Sequence, residues 1–288
     1  MSRSMMTLPT AADPASVVDT DAYPFGDSDC YPWILAARAD LAADGVAILP
    51  GFVRPEAVAT MCAEADRLAP LGHHSLVQGT PYLGLPDESF PEGHPRRALV
   101  DNSLTAVAYD LIGADSLLRV LYEWPRFTEM IRRMLDRPAL YHYADPFGAL
   151  NIAAMSAGDE LGWHFDQTDF VVSIALQSSS GGGDFESVAR LRSAEDDAYD
   201  EVSAVLAGDR SRVSSVPMTP GTLMLFEGRN SLHRVTKIEG DVPRHVALLA
   251  YDTVPGTDSS ELLKLVRYGR SPETVAGPGV RSNGGQQQ

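Results

Sequence analysis

The amino-acid sequence predicts a mainly β domain with α-helices on its N-terminal side. Three apolar runs of strand length lie in the second half of the chain, at residues 170–176, 220–226 and 244–251, with turn residues between them. The first half instead shows apolar residues at helical spacing, over residues 31–43 and 55–71. These two periodicities predict short strands and flanking helices in one fold.

The elements of the first half follow one another closely. The helix over residues 31–43 ends before Gly45, and residues 46–49 form a short apolar strand. A turn then leads to the second helix over residues 55–71. Apolar positions at helical spacing predict that residues 103–137 are also helical, in two or three pieces.

Loops and insertions are visible from composition. Residues 73–94 are rich in glycine and proline, which predicts a long loop or lid. Residues 140–144 and 149–155 predict strands. Residues 187–212 form a charged insertion, for which we expect a helical excursion or a lid, and residues 259–268 predict a last helix or strand.

The domain boundaries follow from the same composition. Residues 1–28 lack a sustained period and predict a flexible N-terminal arm. Residues 29–271 hold the periodic segments and predict one domain. Residues 272–288 predict a disordered tail.

Charge and cysteine content exclude several classes of protein. The 288 residues carry a net charge of −16, which argues against a nucleic-acid partner or an anionic membrane surface. The charge fits plain solubility, or the attraction of a cationic substrate. The two cysteines, Cys30 and Cys62, are too few for a disulfide framework, and no signal peptide or membrane span is visible. A cytoplasmic protein is the expectation, and the oligomeric state is not predicted.

A candidate metal site lies in the segment around His164. Side chains two apart in a strand project to the same face, so His164 and Asp166 reach one point while Phe165 points away. An imidazole from a distant strand completes a facial triad of two histidines and one carboxylate, which leaves positions on a ferrous ion open. His233, which follows an apolar strand, is the candidate for this third ligand.

The order of these features resembles a known family. The His164-x-Asp166 triplet is followed by the glycine turn 181–183, a Pro220-Gly221 strand, His233 and then Arg244. Over residues 140–253 this order resembles the iron(II)/2-oxoglutarate-dependent oxygenases. The segment around the triplet is most similar to the branch of free-amino-acid halogenases and their hydroxylase relatives.

The resemblance implies a fold, cofactors and two further site residues. The fold is a double-stranded β-helix, or jelly roll, with the N-terminal helices packed on the barrel. The cofactors are Fe(2+), 2-oxoglutarate and O2. Arg244 is expected to pair with the far carboxylate of 2-oxoglutarate, because a guanidinium offers two parallel donors. Asn151 lies where the family often places a polar group that touches 2-oxoglutarate, although an asparagine satisfied by backbone is an equal alternative.

The resemblance also implies a reaction. Halogenases of this branch replace the carboxylate ligand by a small residue, whereas this chain keeps Asp166. We therefore expect hydroxylation of an unactivated C–H bond in a small polar free amino acid, with release of succinate and CO2. Desaturation or cyclisation is an alternative outcome of the same chemistry. A peptidyl, prolyl-hydroxylase-like oxygenase is a second candidate function, and a non-catalytic metal-binding jelly roll is a third.

Four residues are candidate substrate contacts. Arg97 is expected to hold a substrate α-carboxylate. Asp145, Gln167 and Asp169 lie near the ligand-bearing segment and are candidates for contacting an amine. A basic amino acid fits such an acidic pocket, and a polar, non-basic amino acid stays open.

Overall fold

This computed structural model describes residues 13–26 and 31–272 of the chain. They contain thirteen β-strands and six α-helices, joined by turns and loops. The helices are Pro32–Asp44 (α1), Pro55–Leu68 (α2), Leu117–Tyr122 (α3), Pro125–Met134 (α4), Tyr199–Leu206 (α5) and Glu261–Tyr268 (α6). The strands are Val46–Leu49 (β1), His73–Gly79 (β2), Val100–Val107 (β3), Tyr141–His142 (β4), Leu150–Met155 (β5), Leu161–His164 (β6), Val171–Gln177 (β7), Phe185–Val188 (β8), Ser214–Val216 (β9), Leu223–Phe226 (β10), Leu232–Val235 (β11), Arg244–Leu249 (β12) and Tyr251–Asp252 (β13).

Eleven of the strands form one antiparallel sheet that has two halves. The first half has the order β1-β10-β7-β12-β5-β3, with β2 also paired to β3, and the second half has the order β6-β11-β8-β9. From β5 onwards the chain passes repeatedly between the two halves, so that consecutive strands seldom pair with each other. This alternation is that of a jelly roll, and the predicted fold class is confirmed.

The helices cover the outer face of the first half. Proline at the first turn starts α1 and α2, and α1 ends at Gly45, whose φ of 67° suits glycine. The buried stripe of α2 includes Val58, Met61 and Ala65, and this helix packs against β7. The first half of the sheet is therefore sealed by the predicted N-terminal helices.

The charged insertion covers the other half. Residues 187–212 contain α5, whose Val202 and Val205 pack with Trp163, Phe165 and Leu232. Phe165 and Trp163 belong to the segment that carries the predicted metal ligands His164 and Asp166. Of the two expectations, the helical excursion is correct, and its apolar face packs on the sheet.

One part of the predicted secondary structure was wrong. Residues 103–137 are not helical throughout, because strand β3 occupies the first of them and pairs with β2, β5 and β6. Leu104 and Ala106 face the apolar interior of the barrel, so tertiary pairing overrides the local helical spacing. Residues 73–94 likewise begin with β2 before the loop.

The predicted N-terminal arm also needs correction where it is described. Val17 and Val18 are at most 1% exposed, Val18 pairs with Val53, and the amide of Arg54 donates to the carbonyl of Val17. Residues 13–26 are thus part of the packed domain. The rest of the arm and residues 273–288 of the predicted tail lie outside the described residues. Within the described ranges, no α-helix is both long and apolar enough to cross a membrane.

Candidate active site

The three predicted metal ligands meet between β6 and β11. His164 ends β6 and lies directly opposite His233 of β11 in the antiparallel pairing. Asp166 follows two residues after His164, and its Oδ1 lies 3.9 Å from His164 Nε2 and 3.6 Å from His233 Nε2. One donor atom from each side chain lies within 4.8 Å of the other two. The fold thus brings together ligands from two strands that are distant in the chain.

Backbone carbonyls fix both imidazoles in the same tautomer. His164 Nδ1 lies 2.7 Å from the carbonyl oxygen of Gly162, and His233 Nδ1 lies 2.9 Å from that of Ser231. A carbonyl oxygen can only accept, so each Nδ1 carries a proton and donates. The lone pair of each Nε2 is left for a metal, in the arrangement that metal-binding histidines usually show.

Burial and mutual charge set the protonation of the three groups. Burial, together with the neighbouring His233, lowers the pKa of His164 to about 4. Burial acts to lower the pKa of His233 as well, but the adjacent Asp166 carboxylate outweighs it and raises this pKa above its ordinary value. Burial acts to raise the pKa of Asp166, yet the two imidazoles hold it below its ordinary value. Asp166 is therefore ionised near neutral pH, ready to bind a cation.

Gly228 is a site residue that the sequence analysis missed. A Cβ at this position would lie 1.7 Å from Asp166 Oδ2, and the amide of Asp166 donates to the Gly228 carbonyl. Oδ2 itself is buried without a hydrogen-bond partner in the described chain. The only signal of Gly228 in the sequence is a glycine that comes two residues after an apolar strand, a pattern that many turns share.

Arg244 starts β12 and is buried without a counter-ion. The residue is 7% exposed, and within residues 13–26 and 31–272 no group forms a hydrogen bond or an ion pair with its guanidinium. Burial lowers its pKa to about 10, and Asp184 offsets this only in part. A Cβ on Gly183 would lie 3.2 Å from its Cδ, so the predicted glycine turn packs beside it. An unpaired buried cation is costly, which fits a site for an anion.

A cavity of about 340 Å³ joins these residues. His164, Asp166 and His233 form its metal end, and Arg244 lines the wall contributed by β12. Most of the wall is aliphatic or aromatic. The apolar lining residues are Val77, Leu83, Leu104, Ala153, Met155, Leu161, Val171, Phe185, Met218, Met224, Phe226, Val235, Val246, Leu248, Leu263 and Val266. We call the part of the wall formed by β2, the loop after it and α6 the outer end.

Asn151 lies on β5 in the interior of the barrel. It is 6% exposed, and its Oδ1 has no hydrogen-bond partner among the described residues. Strand alternation puts it on the same face of β5 as Ala153 and Met155, which line the cavity. Its expected contact with 2-oxoglutarate stays a prediction.

The four predicted substrate contacts lie outside the cavity lining. Arg97 donates to the carbonyl of Phe90, and Asp169 pairs with Arg229 at the surface. Arg229 also donates to the backbone carbonyl of Gln167, whose side chain is exposed. Asp145 is 1% exposed and accepts the amide of Phe147. Substrate roles for these residues stay predictions, because no described contact joins them to the metal end.

The residues present fit the predicted iron and 2-oxoglutarate. Two neutral imidazoles and one carboxylate form the donor set of a facial iron(II) site. The orphaned Asp166 Oδ2 and the unpaired Arg244 are the buried polar groups that a cation and an anionic cosubstrate would satisfy.

Comparison with known proteins agrees with this geometry. The family model of halogenase D matches residues 93–261, more than half of the chain. Comparison with curated protein sequences finds none that matches.

Solved structures share the fold at low identity. AviO1 from Streptomyces viridochromogenes Tue57 is 19% identical, with 78% of this chain and 97% of that chain covered and a TM-score of 0.52. EctD from S. alaskensis, solved with 2-oxoglutarate and 5-hydroxyectoine, is 19% identical, with 80% of this chain and 78% of that chain covered and a TM-score of 0.52. HygX from Streptomyces hygroscopicus, solved with nickel, 2-oxoglutarate and hygromycin B, is 15% identical, with 79% of this chain and 90% of that chain covered and a TM-score of 0.51. Identities this low establish a common fold and no common substrate.

The predicted superfamily and its halogenase-related branch are therefore confirmed. The predicted cofactors, iron(II), 2-oxoglutarate and O2, agree with the family and with the donor set. By its family match and its jelly-roll fold, the chain belongs to the halogenase D family of iron(II)/2-oxoglutarate oxygenases.

Proposed function

We propose that this protein is an iron(II)/2-oxoglutarate-dependent dioxygenase that hydroxylates an unactivated C–H bond of a small free amino acid. The observation that carries the proposal is the Asp166 carboxylate. It faces His164 and His233 at the closed end of a cavity, and the same cavity holds the unpaired Arg244. Bound iron and 2-oxoglutarate supply the oxidising power, with succinate and CO2 as the products of the cosubstrate.

The protein holds and shields the reacting groups. His164, Asp166 and His233 hold the metal from one side, because strand pairing and the carbonyls of Gly162 and Ser231 fix their directions. Arg244 holds the far carboxylate of 2-oxoglutarate by a charge-assisted pair of hydrogen bonds. The apolar wall keeps bulk water away from the metal end, which protects an oxidising site from side reactions.

The retained carboxylate favours hydroxylation over halogenation. A halide ligand needs the coordination position that Asp166 fills. Gly228 leaves room for this carboxylate, since a Cβ there would overlap Oδ2. The chain is thus built around an aspartate ligand, although its family is named for halogenases.

A non-catalytic metal-binding jelly roll fits less well. Such a protein has no use for a buried guanidinium that lacks a counter-ion, and a buried unpaired charge costs stability. An anionic cosubstrate, in contrast, explains Arg244 directly.

Succinate formation tests the proposal. The metal-free protein is loaded with iron(II) under argon and given 2-oxoglutarate, O2 and each free amino acid in turn, and products are followed by mass spectrometry. We expect one amino acid to gain one oxygen atom in step with succinate. Succinate that never exceeds the metal-free background would exclude the proposed chemistry. Succinate without any oxidised amino acid would move the substrate to a peptide or a carrier-bound group.

A further inference from the structure

Arg267 is a second arginine that faces the cavity without a partner. It lies on α6 at the outer end, and among residues 13–26 and 31–272 no group accepts a hydrogen bond from its guanidinium or forms an ion pair with it. Leu263, four residues before it, lies on the same helical face, and Val266 comes directly before it in the chain; both also line the cavity. The helix therefore presents one cation among aliphatic side chains.

Arg267 lies close enough to influence the metal ligands. Its charge contributes to the lowered pKa of Asp166 and of His164, and Asp166 in turn acts to raise the pKa of Arg267. Burial outweighs this and holds the pKa of Arg267 below its ordinary value. A guanidinium stays charged under these conditions, so the outer end carries a fixed positive charge that faces the metal end.

We propose that Arg267 binds the carboxylate of the organic substrate, while Arg244 binds 2-oxoglutarate. This inference rests on the proposed function and names the substrate class for the same site. With ferrous iron and the dianion of 2-oxoglutarate in place, the charges of Asp166, Arg244 and Arg267 leave one positive charge over. A substrate carboxylate pairs the partly buried guanidinium; a carboxylic acid without an amine also neutralises the extra charge, whereas the α-ammonium of an amino acid needs acceptors of its own.

The rest of the wall defines the body of that substrate. Among the lining residues, Asp166 is the sole acid, and it is committed to the metal. A lysine-like or arginine-like side chain therefore finds no counter-ion here, whereas an aliphatic chain packs against the apolar wall. Ser75 and Asn102 also line the cavity, and their side-chain oxygens can accept from an α-ammonium. The substrate class is an aliphatic amino acid or the corresponding carboxylic acid.

The helix that carries Arg267 is held in place from outside the cavity. Ser260 caps its first turn by accepting the amide of Leu263, and Gly269 ends it with a φ of 69°. Lys264 is 1% exposed and pairs with Asp258 at 2.8 Å and with Glu261 at 3.1 Å. These contacts stabilise the helix, and its packing against β2 and β3 holds it, and with it Arg267, at the cavity.

Matched ligand pairs test the inference by binding, without turnover. Full-length protein loaded with iron(II) and 2-oxoglutarate is titrated under argon in a calorimeter. The probes are L-leucine, L-valine and L-norleucine, their primary amides, their deamino acids, and L-lysine, which is norleucine with a terminal amine. The variants are Arg267→Gln and Arg267→Lys. Arg270→Gln is the matched control, since Arg270 pairs with Asp110 away from the cavity.

The expected result is a preference for acids that depends on Arg267. At least one acid binds the wild type on the order of tenfold more tightly than its amide, which a charge-assisted pair supplies. Arg267→Gln removes this preference, Arg267→Lys keeps part of it, and Arg270→Gln keeps it whole. Norleucine binds more tightly than lysine. The deamino acids decide whether the α-ammonium adds affinity.

Two outcomes separate this inference from the proposed function. If 2-oxoglutarate binds only with metal, but no acid binds better than its amide, the role of Arg267 is wrong and the oxygenase assignment stands. The role of Arg267 is equally wrong if Arg267→Gln keeps the preference, or if lysine binds more tightly than norleucine. If 2-oxoglutarate itself fails to bind the metal-loaded wild type, the proposed function is wrong, and the role of Arg267, which rests on it, is wrong with it.

Discussion

The two ends of the cavity are built from different parts of the fold. At the metal end, every functional side chain stands on or next to a core strand, and backbone pairing fixes its position. At the outer end, the wall comes from β2, a loop and α6. Side chains of this wall are partly exposed to solvent: Val266 is 37% and Leu263 is 45% exposed. Under the proposed function, residues on or next to the paired strands set the reaction type, and elements that pack onto the sheet from outside set the choice of substrate.

This difference predicts that substitutions at the metal end abolish metal-dependent turnover, whereas substitutions at the outer end change the affinity for the substrate.

Removal of one metal ligand is expected to have the largest effect. His233→Ala takes away one of three donors, so we expect iron(II) binding and succinate formation to fall to the metal-free background. Metal content after gel filtration and succinate release measure this. His74→Ala is the control, because His74 pairs with Asp159 outside the cavity. Normal turnover in His233→Ala would remove His233 from the ligand set.

Gly228→Ala is expected to weaken metal binding without touching a ligand. The added methyl group overlaps Asp166 Oδ2, so the carboxylate must turn away from the imidazoles. Changes in the groups that orient metal ligands typically cost about 10- to 100-fold in metal affinity. Calorimetric titration with iron(II) under argon measures the loss. Gly79→Ala is the control, since a Cβ there meets only an ordinary contact at 3.8 Å. Equal affinity in the two variants would contradict the crowding at Gly228.

Arg244→Gln is expected to act on the cosubstrate alone. Hydrogen bonds to charged groups are worth about 1.5–3 kcal/mol, so the affinity for 2-oxoglutarate should fall about 10- to 100-fold. Iron(II) affinity should stay unchanged. Titration with iron(II), and then with 2-oxoglutarate in the presence of metal, measures both. Arg234→Gln is the control, because it also removes a guanidinium, but one that pairs with Glu186 and does not line the cavity. A loss of the same size in the control would show that the effect is structural.

Metal affinity is expected to fall as the pH falls below neutrality. The pKa of His233 lies above its ordinary value of 6.5, so below that pKa a proton occupies the imidazole and must leave when the metal binds. Affinity should drop by about tenfold per pH unit in that range and level off above it. His164, with its pKa lowered to about 4, contributes only under strongly acidic conditions. Titrations in buffers with different heats of ionisation count the released proton. Affinity that does not change between about pH 6 and 8 would rule out the raised pKa.

Arg270→Gln is expected to have the smallest effect. The Arg270–Asp110 pair lies at the surface, where an ion pair contributes about 0–1 kcal/mol. Thermal unfolding should therefore shift by a few degrees at most, and acid binding in the cavity should stay within about threefold of the wild type. A large loss of binding would mean that the pair positions α6, and would contradict its place away from the cavity.

The sequence predicted the metal end far better than the outer end. His164 and Asp166 are two apart, so strand alternation alone places them on one face, and the order of features as far as Arg244 supplied the rest. Gly228 was missed because its role depends on one contact with Asp166, which lies in a different segment of the chain. Strand β3 was missed because local apolar spacing favoured a helix, and only the pairing with β2 and β5 made it a strand.

Local patterns predicted the strands, the N-terminal helices and the types of ligand, because strand periodicity and donor chemistry can be recognised within a few residues. The family and the jelly roll came from the resemblance in the order of features over residues 140–253. Tertiary structure decided which charges face the cavity. Arg97 and Asp169 lie near candidate segments in the sequence, yet they pair elsewhere, whereas Arg267 lies on a terminal helix that folds back over the barrel. Which side chains share a cavity depends on how distant elements pack together, and no local pattern in the sequence contains that information.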